Sequence, residues 1–252
     1  MVNKAQNFLM RGKLGDFIQS LFALKNLCKQ NTYKANLFMY DLPSGIGWER
    51  GIETTYSELY DILITQPYIN SFSILKGSVD NYIDLGDFIH SPLLYKACWS
   101  EIFSNQFCFS IDKEYRWLEY STVDQELTDK VLIHHRAKYG SNEDFPYSQI
   151  IEDNPKKVIF ISTDVSDYMK FPYKDQIEFL KIDTMDDWFR SINSCATLIS
   201  NISAPACIAN ALDVPRVLEL PSMIDARHWM GEEKYSSNMF WYYDTNINFL
   251  PS

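Results

Sequence analysis

Ser200, Asn201 and Ser203 fall together in Ala196–Leu220, A-T-L-I-S-N-I-S-A-P-A-C-I-A-N-A-L-D-V-P-R-V-L-E-L, a stretch that reads strand, loop, helix, strand with almost no spacer. Ala196–Ser200 is a short apolar run and Asn201–Pro205 a cluster of turn and cap formers. Ala206–Leu212 reads as a small-residue helix ended by Asp213-Val214-Pro215, and Arg216–Leu220 as a second buried strand. A loop that leaves the carboxyl end of a strand and enters a helix lies in the ligand crevice of an open α/β sheet. Its unsatisfied N–H groups and the helix dipole favour an anion such as a phosphate there. Anion binding is the chemistry these residues suggest.

Asp16 offers a different chemistry. It follows Arg11-Gly12-Lys13-Leu14-Gly15, read as a tight turn after a strand at Gln6–Met10, and opens a helix that runs to about Lys29. A carboxylate at a helix start gains from the dipole and the free N–H groups, so Asp16 is either a cap or a group presented to a ligand. Gly12 and Gly15 bear on the second reading, because they let a ligand or a neighbouring backbone come close to the turn.

Other constellations carry less. His134 and His135 are adjacent, so on a strand they point to opposite faces and are poorly placed to share a metal. Asp183, Asp186 and Asp187 read as an acidic helix start with Thr184 as N-cap, not as a metal cluster. Neither G-x-x-x-x-G-K-[ST] nor G-x-G-x-x-G occurs at a strand–helix junction, which removes support for a P-loop kinase or a dinucleotide oxidoreductase.

The elements that must position these groups alternate. Phe17, Ile18, Leu21, Phe22, Leu24 and Cys28 form a core-facing stripe on the first helix. Strands are expected at Ala35–Tyr40, Ile69–Leu75 and Asn81–Leu85. Helices are expected at Thr54–Gln66 and His90–Gln106, and Asp41–Gly51 reads as a loop. The acidic segment Asp124–Asp129 suits a boundary. Beyond it the pattern restarts, with strands at Lys130–His134, Val158–Ser162 and Phe179–Ile182 and helices at Pro146–Ile151 and Thr184–Asn193. Strands alternating with helices imply a parallel sheet, so the C-terminal part reads as its own Rossmann-like domain. Ile224–Ser252, with Trp229, Phe240, Trp241, Tyr242 and Tyr243, is too aromatic for a disordered tail and is expected to pack back over the domains.

The composition suits such a protein. A chain of 252 residues with a hydrophobic content of 46% has enough apolar surface for one large α/β domain or two small ones. Its net charge of −10 provides no broad positive field for nucleic acid or an anionic membrane. The five cysteines are scattered without C-x-x-C spacing and read as reduced core thiols of a cytosolic protein. No signal-peptide core or membrane-length apolar run is seen.

Two segments together resemble a known family. L-M-R-G-K-L-G-D-F-I-Q-S-L-F-A-L and S-N-I-S-A-P-A-C-I-A-N-A-L-D-V-P are similar to the heptosyltransferase-like glycosyltransferases of GT-B architecture, the ADP-heptose:LPS heptosyltransferase-like superfamily. The first matches that family's strand, L-G-D turn and helix. The second matches its S-N-D-S-G-P-x-H-L-A-A-A-L-G-x-P donor loop. Elsewhere the likeness is architectural, and the chain is expected to stand nearer to short viral or metagenomic relatives than to the bacterial enzymes.

The resemblance implies an α/β fold of two Rossmann-like domains facing a central cleft, with 1–125 taking the acceptor, 126–225 taking the donor, and a tail at 226–252. It implies an inverting, metal-independent transfer of a sugar from a nucleotide sugar to a hydroxyl acceptor, with no further cofactor and with Asp16 as general base. Donor binding would fall to Arg136, Ser200, Asn201, Ser203, Ala204 and Glu219, with Gly12, Lys13 and Gly15 forming an acceptor or phosphate loop. Arg136 would meet the charge on the leaving diphosphate, with Lys13 as a second cation. Glu219 would bond a donor ribose or base, or else serve as a satisfied strand-end carboxylate. A cytoplasmic setting, in a bacterium or a virus-infected cell, is expected.

Three positions depart from the pattern, with Ile202, Ala204 and Cys207 where the family has Asp, Gly and His. Ile202 accepts no hydrogen bond from a sugar, and Ala204 narrows the approach of a phosphate. They support an alternative, a non-catalytic nucleotide- or sugar-binding protein with a degenerate donor loop. A further alternative is a viral glycosyltransferase acting on a modified DNA base, against which the acidic balance weighs.

Overall fold

The computed structural model describes residues 4–41, 47–112, 115–139, 144–220, 227–243 and 246–248. The chain divides into two compact units, Met1–Glu119 and Tyr120–Ser252. The division comes a few residues before Asp124–Asp129, because the segment leading into it is already tied to the second unit. Tyr120 Oη donates to Asp186 Oδ1 at 2.6 Å, Asn193 Nδ2 to Thr122 O at 3.1 Å, and the Asp124 N–H to Ser194 Oγ at 2.7 Å.

The N-terminal unit runs β1 (Ala5–Met10), α1 (Leu14–Asn31), β2 (Lys34–Met39), α2 (Ile52–Ile64), β3 (Ile69–Ile74), β4 (Tyr82–Asp84) and α3 (Trp99–Phe107). Its sheet has the order β3-β2-β1-β4 with every pair parallel. Gly12, at φ +103°, turns the chain from β1 into α1, a backbone conformation that glycine adopts without a steric penalty. Gly15 is not part of that turn, as the sequence suggested, but lies in the first turn of α1.

The expected stripe on α1 is only half of its burial. Phe17, Ile18, Leu21, Phe22 and Leu24 face the core, but Gln19, Ser20 and Asn26 are buried too. Phe22 is packed by the rings of Phe109, Tyr115 and Trp117 at 5.3–6.0 Å. Trp117 Nε1 donates to Ile18 O at 3.0 Å, and Asn26 accepts from the Asp112 N–H at 3.0 Å while donating to Phe22 O at 2.8 Å. Ser20 Oγ donates to Phe17 O at 2.8 Å, so Ser20 and Asn26 are bonded within this packing, and part of the chain's aromatic excess is explained.

The helix expected at His90–Gln106 begins only at Trp99. Ser91 precedes a proline and stays extended, a 3-10 turn fills Leu85–His90, and Tyr95 has φ +60°. Of the expected loop Asp41–Gly51, Pro43 and Gly45 lie outside the described residues.

The C-terminal unit runs β5 (Val131–His134), α4 (Tyr147–Asp153), β6 (Val158–Ser162), α5 (Val165–Lys170), β7 (Glu178–Lys181), α6 (Met185–Ser194), β8 (Thr197–Asn201), α7 (Ala204–Leu212), β9 (Arg216–Glu219), β10 (Met239–Tyr243) and β11 (Asn246–Asn248). The sheet order is β11-β10-β9-β8-β5-β6-β7, parallel throughout except for the antiparallel β11. Phe160, Ile133, Ile199 and Val217 form a row across four strands and pack against Tyr147, Ile150 and Ile151 of α4. Thr184 is the N-cap of α6, as its sequence suggests, and it forms a reciprocal box with Asp187.

The C-terminal tail extends the sheet. Met239–Tyr243 pairs with β9 as a parallel strand, and Trp229, just before it, is buried. The side chains of Phe240, Trp241, Tyr242 and Tyr243 lie outside the described ones. None of the five cysteines is in a disulfide, and all but Cys108 are buried. Among the described residues no helix is long and apolar enough to cross a membrane.

Candidate functional site

The order of the C-terminal sheet locates its crevice. Read from β7, the strands run third, second, first, fourth, fifth and sixth in chain order, the doubly wound arrangement. The chain leaves β5 in both directions across the sheet, so the loops after β5 and β8 part at their carboxyl ends and leave a ligand crevice. Arg136 lies on the first loop and Ser200, Asn201, Ser203 and Ala204 around the second, so the fold brings these five together. Glu219 ends β9, the next strand over.

Their side chains serve the loop more than a ligand. Ser200 Oγ and Ser203 Oγ both donate to the carbonyl of Asn201, at 2.7 and 3.1 Å, and lie 3.1 Å from each other. Ser203 is the N-cap of α7, yet its side chain bonds no helix N–H, and Pro205 stands in the first turn. The main-chain donors of that turn therefore lack a side-chain cap, the arrangement that suits an anion. Asn201 has no exposed surface, and its amide clasps the backbone of Arg136: the Arg136 N–H donates to Oδ1 at 3.3 Å and Nδ2 to Arg136 O at 2.9 Å.

Arg136 reaches toward α5, with Nε 3.6 Å from Asp167 Oδ2, and Ser162 Oγ donates to the same oxygen at 3.0 Å. Glu219 is fully buried, accepts from Tyr147 Oη at 2.6 Å and lies 3.5 Å from His135 Nε2. These contacts engage the Glu219 carboxylate within the unit itself. His135 meets the rings of Tyr147 and Phe171, whereas His134 meets Trp188 of α6, so the adjacent imidazoles do lie on opposite faces. The described residues hold no group of three His, Cys, Asp or Glu side chains able to bind a metal.

In the N-terminal unit the corresponding parting lies at the carboxyl ends of β1 and β4. Asp16 sits there in the first turn of α1, half-buried, and accepts no hydrogen bond from a described residue. Desolvation raises its carboxyl above the usual range, opposed by the nearby Lys13 ammonium, which is itself exposed. A carboxylate kept basic and unengaged is suited to taking a proton.

Two further residues at this edge escaped the sequence reading. Tyr40, just past β2, donates from Oη to Asp84 Oδ2 at the end of β4 (2.7 Å), spanning the end of β1; Asp84 Oδ1 accepts from the Gly86 N–H at 2.8 Å. Arg11 lies across Gly86, where a Cβ would stand 2.7 Å from its Nε. The glycine of L-G-D at Leu85–Asp87 was a visible signal, but nothing local to it announces Arg11 as its neighbour.

No family model and no curated protein matches the sequence. Solved structures do match. Escherichia coli heptosyltransferase WaaC with ADP aligns at a TM-score of 0.61 and 11% identity, over 94% of this chain and 92% of that one. E. coli ADP-heptose LPS heptosyltransferase II aligns at 0.55 and 12%, over 96% and 91%. A glycosyl transferase family 9 protein from Veillonella parvula aligns at 0.51 and 14%, over 84% and 80%. The chain shares their α/β fold. All three are bacterial proteins, and nothing in them bears on the expected nearness to short viral relatives.

Proposed function

We propose that the protein is a glycosyltransferase that moves a sugar from a nucleotide sugar to a hydroxyl acceptor, with inversion and without a metal. Asp16 takes the proton of the acceptor hydroxyl, whose oxygen attacks the anomeric carbon. The bond from that carbon to the diphosphate breaks, and its electron pair leaves with the diphosphate. The uncapped first turn of α7 and the Arg136 guanidinium meet the charge that develops there. The observation that carries this reading is Asp16, a carboxylate raised by burial and bonded to no described residue at the carboxyl end of β1. The fold shared with a heptosyltransferase in complex with ADP adds support.

A second reading, ligand binding without turnover, draws on the α7 loop, where Ser200, Ser203 and Asn201 direct their polar atoms to the main chain. A thermal-shift screen against nucleotides and nucleotide sugars, ADP-heptose among them, finds the donor, since a ligand at a hundred times its Kd stabilises by about 2.7 kcal/mol. Sugar release or transfer from the donor so found supports the first reading. Stabilisation without turnover leaves the second.

A further inference from the structure

We infer that Asn201 and Asp167 are positioning residues that aim Arg136 at the diphosphate, an inference that rests on the donor reading above. β5 ends at His134, which pairs with Ser200 of β8, and the regular ladder between the two strands stops there. The Asn201 side chain supplies the next rung, since its amide oxygen takes the Arg136 N–H and its amide nitrogen bonds the Arg136 carbonyl. An amide is the side chain that offers both halves of that exchange. With no exposed surface, Asn201 has no face left for a ligand.

The guanidinium has an ion-pair partner at its other end. Asp167 stands in the first turn of α5, accepts from Ser162 Oγ on β6, and lies 3.6 Å from Arg136 Nε. The Arg136 side chain keeps 28% of its surface exposed, so the cation is held without being sealed off. Anchored through its main chain to β8 and paired at 3.6 Å with Asp167 of α5, the arginine is carried on the same loop pair as the N-terminus of α7. A cation pre-set in this way loses little freedom when an anion binds.

The test uses the full chain and three probes, ADP, pyrophosphate and adenosine, in calorimetric titrations of the wild type, Asn201→Ala, Asp167→Ala and Arg136→Ala. Each substitution is expected to weaken ADP and pyrophosphate about tenfold, the scale of one hydrogen bond to a charged group. Adenosine affinity is expected to hold, and Asn201→Ala is expected to add less than about twofold in the Arg136→Ala background, because the two act as one unit. Asn201→Asp, which keeps the acceptor for the Arg136 N–H and loses the donor, is expected to fall between.

Equal losses for ADP and adenosine, or unchanged pyrophosphate binding, overturn the inference. Tighter pyrophosphate binding by Asp167→Ala overturns it as well, since Asp167 would then compete with the anion. Should Asn201→Ala fail to fold, the partly exposed Arg136 and its ion-pair partner Asp167 still decide. A wild type that binds neither ADP nor pyrophosphate overturns the donor reading itself.

Discussion

Tyr147 and Glu219, 72 positions apart, meet in a 2.6 Å hydrogen bond that ties the start of α4 to the end of β9. Burial, together with the Glu219 carboxylate, raises the tyrosine hydroxyl well above its ordinary range, so it remains a donor. Tyr147→Phe strips a fully buried carboxylate of that donor. The expected cost is about 2 kcal/mol in urea unfolding, the scale of one hydrogen bond to a charged group. Nucleoside diphosphate affinity is expected to stay within error. A drop in affinity that exceeds the loss of folded protein would return Glu219 to the donor site.

Asp16→Asn is expected to act in opposite directions on activity and stability. Removing a general base costs about 10² to 10⁴ in turnover, while donor binding persists. For stability the sign follows from the raised carboxyl of Asp16. The folded state holds this proton to higher pH than the unfolded chain does, so the folded state loses ground as pH rises through the folded value. Asparagine carries no charge to desolvate. The variant is therefore expected to melt above the wild type at pH 8, with the difference shrinking toward pH 4. A lower Tm at pH 8 would show that the ionised carboxylate is a stabilising cap instead.

Much of this site was legible locally and much was not. The Thr184 cap of α6, the glycine turn at Gly12 and the strand at Val158–Ser162 each follow from residues within one element. What brings Arg136 to Asn201 is sheet order, because β8 inserts beside β5 and not beside β7. Periodicity identifies strands but does not order them. The same limit hid Tyr40 and Asp84, which are 44 positions apart and meet only because β1 lies between β2 and β4. The run Met239–Tyr243 carried its own signal, since consecutive aromatics favour strands, yet its pairing with β9 depended on a partner far back in the chain.

His134 makes stability depend on mild acid. Burial above all, aided by Arg136 and His135 and opposed by the bond from Nδ1 to Ile161 O, pulls the imidazole from 6.5 down to about 4. Between those two values the unfolded chain binds the extra proton, so stability falls as pH drops through that window and this loss ends near its lower edge. The full effect is of the order of 3 kcal/mol. His134→Phe gives up the Ile161 bond at pH 7.5 but has nothing to protonate. Chemical denaturation at pH 7.5, 6 and 5 is expected to show its deficit against the wild type narrowing at each step. A constant deficit would mean that His134 titrates alike in both states.

Among the described residues Arg216 is the bulkiest charged side chain that is fully buried, and it fastens the C-terminal strands. Nη1 donates to Val214 O at 2.9 Å and lies 3.6 Å from Asp213 Oδ1, while Nη2 bonds Asn210 Oδ1 and reaches Ser236 Oγ at 3.4 Å. Ser236 Oγ donates to Asp213 Oδ1 at 2.5 Å, and Asn238 Nδ2 to Asp213 O at 2.9 Å, so the segment entering β10 is tied to the turn between α7 and β9. Arg216→Met removes the hub and leaves Asn210 and Val214 with buried acceptors. The expected loss is about 3 kcal/mol, the lower end for breaking a buried charged network. Arg216→Lys is expected to restore little, because one ammonium cannot reproduce the forked donors. Limited proteolysis is expected to cut residues 227–243 of either variant before any other segment. Cleavage starting in the N-terminal unit instead would show that the network does not hold the tail.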